Sequence, residues 1–158
     1  MEIRLFTDKD AEETAQVIAE TARVCNSKDY PPEFIEQHII GLHNAEALKA
    51  FSRERHSYVI CDNGRIIGTG SIAGYWGSVT ESILLTVFIL PEYQGRGVGR
   101  KLIETLEQDE YFLRARRIEI PASLTAVGFY RKMGYDFKNG DTEPEDGIMY
   151  RLEKFRQV

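Results

Sequence analysis

The hydrophobic and polar positions of this chain change period several times, and each change marks an element. Met1–Phe6 alternates as a short strand does, and Thr7 with Asp10 forms the capping-box signature of a helix start. Ala11, Ala15, Ile18, Ala22 and Cys25 then share one helical stripe. The pattern breaks into turn residues across NSKDYPP, and Pro32 suits a first helical position before Phe34, Ile35, His38, Ile39 and Leu42. This second helix, interrupted at Gly41 and Asn44, extends to about Arg55. From His56 to Cys61 the period falls to two, Asn63-Gly64 gives a strong hairpin signal, and Arg65–Ala73 returns as the partner strand. Gly68, Gly70 and Gly74 interrupt it and predict a bulge or a close approach of another group. Tyr75-Trp76-Gly77 reads as a turn.

Ile83–Leu90 is an unbroken apolar run, too short for a membrane span and too continuous for a half-exposed strand, so it predicts a strand buried on both faces. Pro91 ends it. After a loop with Gly95, Gly97 and Gly99, Val98, Leu102, Ile103 and Leu106 recur at helical spacing, so a helix starts near Gly97 and runs to about Leu113. Glu107, Asp109 and Glu110 read as its solvated face. Arg117–Ile120 is a short strand ended by Pro121. Ser123 is placed to cap a helix carrying Ala126, Phe129, Tyr130 and Met133, which Gly134 stops. Tyr135–Lys138 and Ile148–Lys154 close the order as two strands around the acidic turn NGDTEPEDG. The order is that of a mixed α+β layer architecture.

The glycine-spaced loop carries the chemistry. Free N–H groups at a helix start carry the positive end of its dipole and suit a phosphate or pyrophosphate, with Arg96, Arg100 and Lys101 adding charge. A plain strand-to-helix connection is the competing reading. A P-loop needs Lys-Ser/Thr after its last Gly, whereas Arg100-Lys101 follows Gly99. The rhythm Gly95, Gly97, Gly99 also departs from the dinucleotide fingerprint.

What remains, Gln94-x-x-Gly97-x-Gly99 after strand-Pro-Glu-Tyr, resembles the acetyl-coenzyme A loop of the GCN5-related N-acetyltransferase (GNAT) family. Ala122–Tyr135 resembles the family's second signature through Ala126, Phe129, Tyr130, Gly134 and Tyr135, with Ser123 in place of the usual Asn. The resemblance implies a three-layer αβα fold with a mixed, mostly antiparallel sheet and a splayed central strand pair. It covers nearly the whole chain as a single domain, residues 1–158. It implies acetyl-coenzyme A as acyl donor, attacked directly by a primary amine through a tetrahedral intermediate. By the same resemblance Tyr130 protonates the departing thiolate, and a backbone N–H near Phe88–Ile89 binds the oxyanion. Ile89 and Leu90 pair with pantetheine through main chain. Gln94, Gly95, Arg96, Gly97, Val98, Gly99 and Arg100 surround the phosphates, and Ser123 and Phe129 complete the cofactor site.

A protonated amine must lose a proton before attack. Strand alternation puts Glu81 on the face of Ile83, Leu85, Val87 and Ile89, pointing along the central strand if no bulge intervenes, which makes it the first candidate base. Glu119 is the second, and water the third. Tyr30 sits where the family places its variable acceptor-binding segment. Trp76 either lines the acceptor pocket or packs on the core edge. His38 reads as a packed or surface histidine before a catalytic one.

Length and composition leave this picture standing. A chain of 158 residues can bury a core, and 42% hydrophobic with 28% charged residues is ordinary for a globular protein. MEIRLFTDKD lacks the apolar region of a signal peptide and no segment is long and apolar enough to span a membrane, so a cytoplasmic protein is expected. Cys25 and Cys61 have no metal-like spacing, so no metal is expected and both read as buried free thiols. A net charge of −5, with the basic residues not forming a stripe, argues against nucleic acid and is compatible with an amine acceptor, small or on a protein. Homodimers are common in the family, and no residue here demands one. A non-catalytic acyl-coenzyme A sensor on the same fold is the rival function. A leaving-group acid at Tyr130 argues against it.

Overall fold

A computed structural model describes residues 1–157. Seven strands among them, β1 (Glu2–Leu5), β2 (His56–Asp62), β3 (Arg65–Gly74), β4 (Glu81–Ile89), β5 (Arg117–Ser123), β6 (Asp136–Phe137) and β7 (Met149–Phe155), form one sheet in the order β1-β2-β3-β4-β5-β7-β6. All pairings are antiparallel except β4 with β5. The helices are α1 (Ala11–Cys25), α2 (Pro32–Phe34) continuing into a π-helical turn Ile35–Ile40, α3 (Ala45–Ser52), α4 (Val98–Leu106), α5 (Glu110–Leu113) and α6 (Val127–Lys132). With α1 packed on β3, β4 and α3, and α4 and α5 on β3, the sheet is the middle of three layers. No helix among the described residues is long and apolar enough to cross a membrane.

The capping box forms as its sequence dictates: the Thr7 N–H donates to the Asp10 carboxylate at 2.8 Å, and Arg4 pairs with the same carboxylate. Asn63 and Gly64 both take positive φ, which the tight hairpin requires. The α4 stripe, Val98, Leu102, Ile103 and Leu106, is buried as its spacing demands. Each such side chain contributes about 1.5–3 kcal/mol on leaving water. At Gly70 a Cβ would stand 3.0 Å from a Leu102 methyl, so the strand glycine is there to let α4 approach.

Several expectations fail. Pro121 does not end β5, which runs on to Ser123. The β4–β5 ladder stops at Ile83↔Glu119, so beyond it β5 carries a ladder only with β7, and an edge-like strand tolerates proline. Of the acidic residues after α4, only Glu110 is exposed as on a solvated face. Asp109 is buried, caps α5 through the Tyr111 N–H, and accepts from His56 and the Tyr58 hydroxyl, while Glu107 accepts from the Tyr135 hydroxyl and Lys154. The two cysteines are free but only half-buried.

A further departure, a bulge in β4, positions the site. Ser71 pairs with Leu85 but Thr69 with Phe88, so β4 holds one more residue than β3 over this stretch, and Thr86 takes φ +55°. Alternation inverts across the extra residue: Ile89 is buried with Ser82 and Leu84, not on the face of Ile83 and Leu85.

Candidate active site

Because only Glu81–Ile83 of β4 pairs with Arg117–Glu119 of β5, the two strands diverge beyond these residues. A cleft of about 770 Å³ opens there, walled by Leu84–Ile89 on one side and Ile120–Ser123 on the other. The end of α1, Tyr30, Phe34 and the π-helical turn form one rim, and the α4 loop with Phe129 and Tyr130 forms the other.

The α4 loop is built to leave backbone uncovered. Gly95 (φ +74°) and Gly97 (φ +80°) both take the left-handed conformation that glycine accommodates, and a Cβ on either would project into open space. No side chain caps the nine-residue helix, so its first N–H groups remain available beside Arg100. Gly99 admits the Phe129 ring, which stands 3.1 Å from where its Cβ would be. Gln94 turns back to donate to the Ile89 carbonyl at 2.8 Å, tying the loop to the end of β4. Narrow, N–H-lined and positively charged, this loop fits a pyrophosphate, and the diverging strand edge beside it fits an extended amide chain.

Tyr130, on α6, lines the cleft beside the α4 loop, buried to 6% exposure, with no protein partner for its hydroxyl among the described residues. Burial pushes its pKa above the ordinary phenol value, so it stays protonated at neutral pH and serves as a donor. Phe88, Ile89, Gln94, Gly95, Gly97, Gly99, Arg100, Ser123, Phe129, Tyr130 and Tyr30 all line the cleft. Tyr30 stacks on Phe34 and donates its hydroxyl to the Ile148 carbonyl, which holds the ring at the rim.

The remaining expected site residues lie elsewhere. Leu90 and Val98 are core residues beneath the loop, and Arg96 folds back over the Tyr93 ring at 5.4 Å. Trp76 neither lines the cleft nor packs on the core. Its left-handed turn (φ +51°) at the opposite end of the sheet leaves it 91% exposed. Glu81 starts β4 in its paired part, away from the cleft, and its carboxylate accepts from Arg117 at 2.8 Å. Glu119 is fully buried and held by Arg117, Lys138 and Arg151. Burial pushes its carboxyl up, but Lys138, Arg117 and Arg151 more than reverse this and leave its pKa below the ordinary value. Neither glutamate reaches the cleft, because the β4–β5 ladder that sequesters them is the part that does not splay.

Two cleft residues carried no recognisable sequence signal. His43 stands edge-on to Phe88 with centroids 5.8 Å apart, and its Nδ1 lies 2.6 Å from the Ile39 carbonyl oxygen. A carbonyl only accepts, so Nδ1 carries the hydrogen and Nε2 keeps its lone pair in the neutral ring. Burial and the nearby Arg55 push the His43 pKa below the usual imidazole value. Arg55 donates to the Thr86 hydroxyl at 3.2 Å, at the β4 bulge. His43 sits in a helix-breaking turn and Arg55 at a helix-to-strand junction, where no periodicity marks a buried position. His38 also lines the cleft, tilted against Phe34 with centroids 4.9 Å apart.

Residues 53–136, more than half of the chain, match the model of the acetyltransferase (GNAT) domain. The chain belongs to the GNAT acetyltransferase family. The match spans β4, the α4 loop and α6, the parts that build the cleft. Solved structures agree on the fold. PaiA N-acetyltransferase from Thermoplasma acidophilum, in complex with coenzyme A, superposes with a TM-score of 0.82 at 21% identity over 98% of each chain. A GCN5-related N-acetyltransferase from Rhodopseudomonas palustris gives a TM-score of 0.80 at 23% identity, over 98% of this chain and 95% of that one. An acetyltransferase from Thermus thermophilus gives 0.74 at 15% identity, over 99% and 98%. No curated protein matches the chain by sequence.

Proposed function

We propose that this protein transfers the acetyl group of acetyl-coenzyme A to a primary amine. The observation that carries the reading is the splay between β4 and β5, which opens a cleft from the uncapped start of α4 past a buried, protonated Tyr130. Coenzyme A in the Thermoplasma acidophilum relative supports the same donor here.

The α4 N–H groups and Arg100 would hold the pyrophosphate, with the unpaired edge of β4 and Ser123 aligning the pantetheine arm. Bound acetyl-coenzyme A supplies an activated acyl thioester. A main-chain N–H at Phe88–Ile89, just past the bulge, donates to the oxygen on which negative charge develops. Tyr130 donates to the leaving sulfur. Raised as it is, its pKa does not disqualify it, because the same dry wall that disfavours phenolate also disfavours thiolate. With Glu81 and Glu119 outside the cleft, His43 is the neutral base beside Phe88, and its Nε2 accepts the proton lost by the amine.

Incubation with acetyl-coenzyme A and a panel of small amines and peptides, followed by thiol release, tests this. Release that depends on an amine is expected. Tight coenzyme A binding with no release above the blank for any acceptor would favour the sensor instead.

A further inference from the structure

We infer that the acceptor is an amine that also carries a carboxylate, and that this carboxylate pairs with Arg55 in the wall of the cleft. The inference rests on the acetyl-transfer reading and names its substrate class.

No aspartate or glutamate is among the described residues lining the cleft, and the charged ones are Arg100 and Arg55. Asp29, next to the rim residue Tyr30, is not among the lining residues and accepts from Thr125. A polycationic amine would find no counter-charge in this wall. Arg100 lies in the first turn of α4, whereas Arg55 stands at the β4 bulge on the His43 side of the cleft, with Phe51 behind it.

Arg55 is also unusual among the basic residues near it. Lys49 and Arg53 have carboxylate partners, Glu46 and Asp8. Arg55 has none among the described residues: one N–H donates to Thr86 and the guanidinium lies 4.0 Å over the Phe51 ring. A guanidinium has five N–H groups in a rigid fork matched to a carboxylate, and the other four are unused here. The exposed Glu54 next to it attracts the guanidinium but forms no ion pair with it, so burial still pushes its pKa down, and a bound carboxylate relieves that cost. Thr86 and the Phe51 face hold the fork in place beforehand, so little ordering is lost on pairing. His43 is close enough for Arg55 to depress its pKa, so an amine near the carboxylate falls within reach of the base. The adjoining rings of Tyr30, Phe34 and His38 add an aromatic rim that suits an apolar side chain.

The experiment compares phenylalanine with phenethylamine as acceptors, corrected for amine pKa, in the wild type, Arg55→Gln and Arg55→Lys. The expected result is at least a tenfold higher kcat/KM for phenylalanine, lost in Arg55→Gln and partly restored in Arg55→Lys, with coenzyme A affinity unchanged throughout. Equal or faster reaction of phenethylamine in the wild type, or a preference that survives Arg55→Gln, overturns the inference while leaving acetyl transfer intact. Binding of unreactive 3-phenylpropionate to the coenzyme A complex, followed by calorimetry, needs no turnover. Saturable binding that Arg55→Gln weakens at least tenfold supports the inference, and its absence in the wild type counts against it even if no amine reacts.

Discussion

His43 donates from Nδ1 to the Ile39 carbonyl oxygen 2.6 Å away, and this one bond sets the tautomer of the ring that faces Phe88. The carbonyl belongs to the π-helical turn Ile35–Ile40, so the wider turn orients the proposed base.

Protonation would remove the Nε2 lone pair. The value of kcat/KM should therefore fall as the pH drops through the His43 pKa, which burial moves below the imidazole value of 6.5. Replacing His43 with Gln should lower kcat about a hundredfold and abolish this acid limb, given the usual size of general-base contributions. A pH–rate profile checks both; an unchanged limb would assign the base to water or another group.

Tyr130→Phe keeps the ring in its packed site and removes only the hydroxyl. Turnover should drop about 10- to 100-fold while coenzyme A affinity stays nearly constant, because the hydroxyl acts on the leaving group alone. Steady-state kinetics beside a binding titration separate the two effects. Unchanged turnover would remove Tyr130 from the chemistry.

Gly97→Asp should abolish coenzyme A binding. The new residue must adopt φ +80° and would place a carboxylate where the loop presents N–H groups to a phosphate. Gly97→Ala shares the strain, about 1–2 kcal/mol, but not the charge, and should bind more weakly than wild type yet measurably. Calorimetric titration of both variants with coenzyme A distinguishes charge from strain. Normal binding by the Asp variant would show that the loop holds no phosphate.

Glu119→Gln should destabilise the fold by about 3–5 kcal/mol, because Arg117, Lys138 and Arg151 lose a fully buried counter-charge. A carboxyl with a lowered pKa contributes stability above its ordinary unfolded value, near pH 4.5, and loses it as the pH falls through the lowered folded value. The stability difference between wild type and variant should therefore shrink in acid, as denaturant titrations across pH would show. Glu81→Gln disrupts a half-exposed pair and should cost no more than about 1 kcal/mol. It should leave the acid limb of the rate profile in place; a lost limb would return Glu81 to the site.

Element by element, local chemistry carried far. The Thr7–Asp10 capping box, the Asn63-Gly64 hairpin, the α4 stripe and the glycine loop depend on residues a few positions apart, whose interactions hold wherever the segment lies in the molecule. For the same reason Gly95, Gly97, Gly99 and Arg100 could be placed at a helix start before any tertiary contact was known. Tyr130 entered through a resemblance of pattern, since spacing alone does not distinguish a packed tyrosine from one facing a cleft.

Other features depend on partners distant in the chain. Strict alternation points Glu81 along the central strand, yet alternation inverts where β3 and β4 mismatch by one residue, and Glu81 lies in the stretch that stays paired with β5. Asp109 passed for a surface acid until β2 brought His56 and Tyr58 to it. Trp76 is exposed by the handedness of its turn. His43 and Arg55, on either side of α3, become cleft residues only when they meet Phe88 and Thr86 of β4. The sequence by itself determined the elements, the anion-binding loop and the family signature, because these are local. The tertiary structure alone decided where the strands part, and so which charges face the cleft and which neutralise one another beneath the paired ladder.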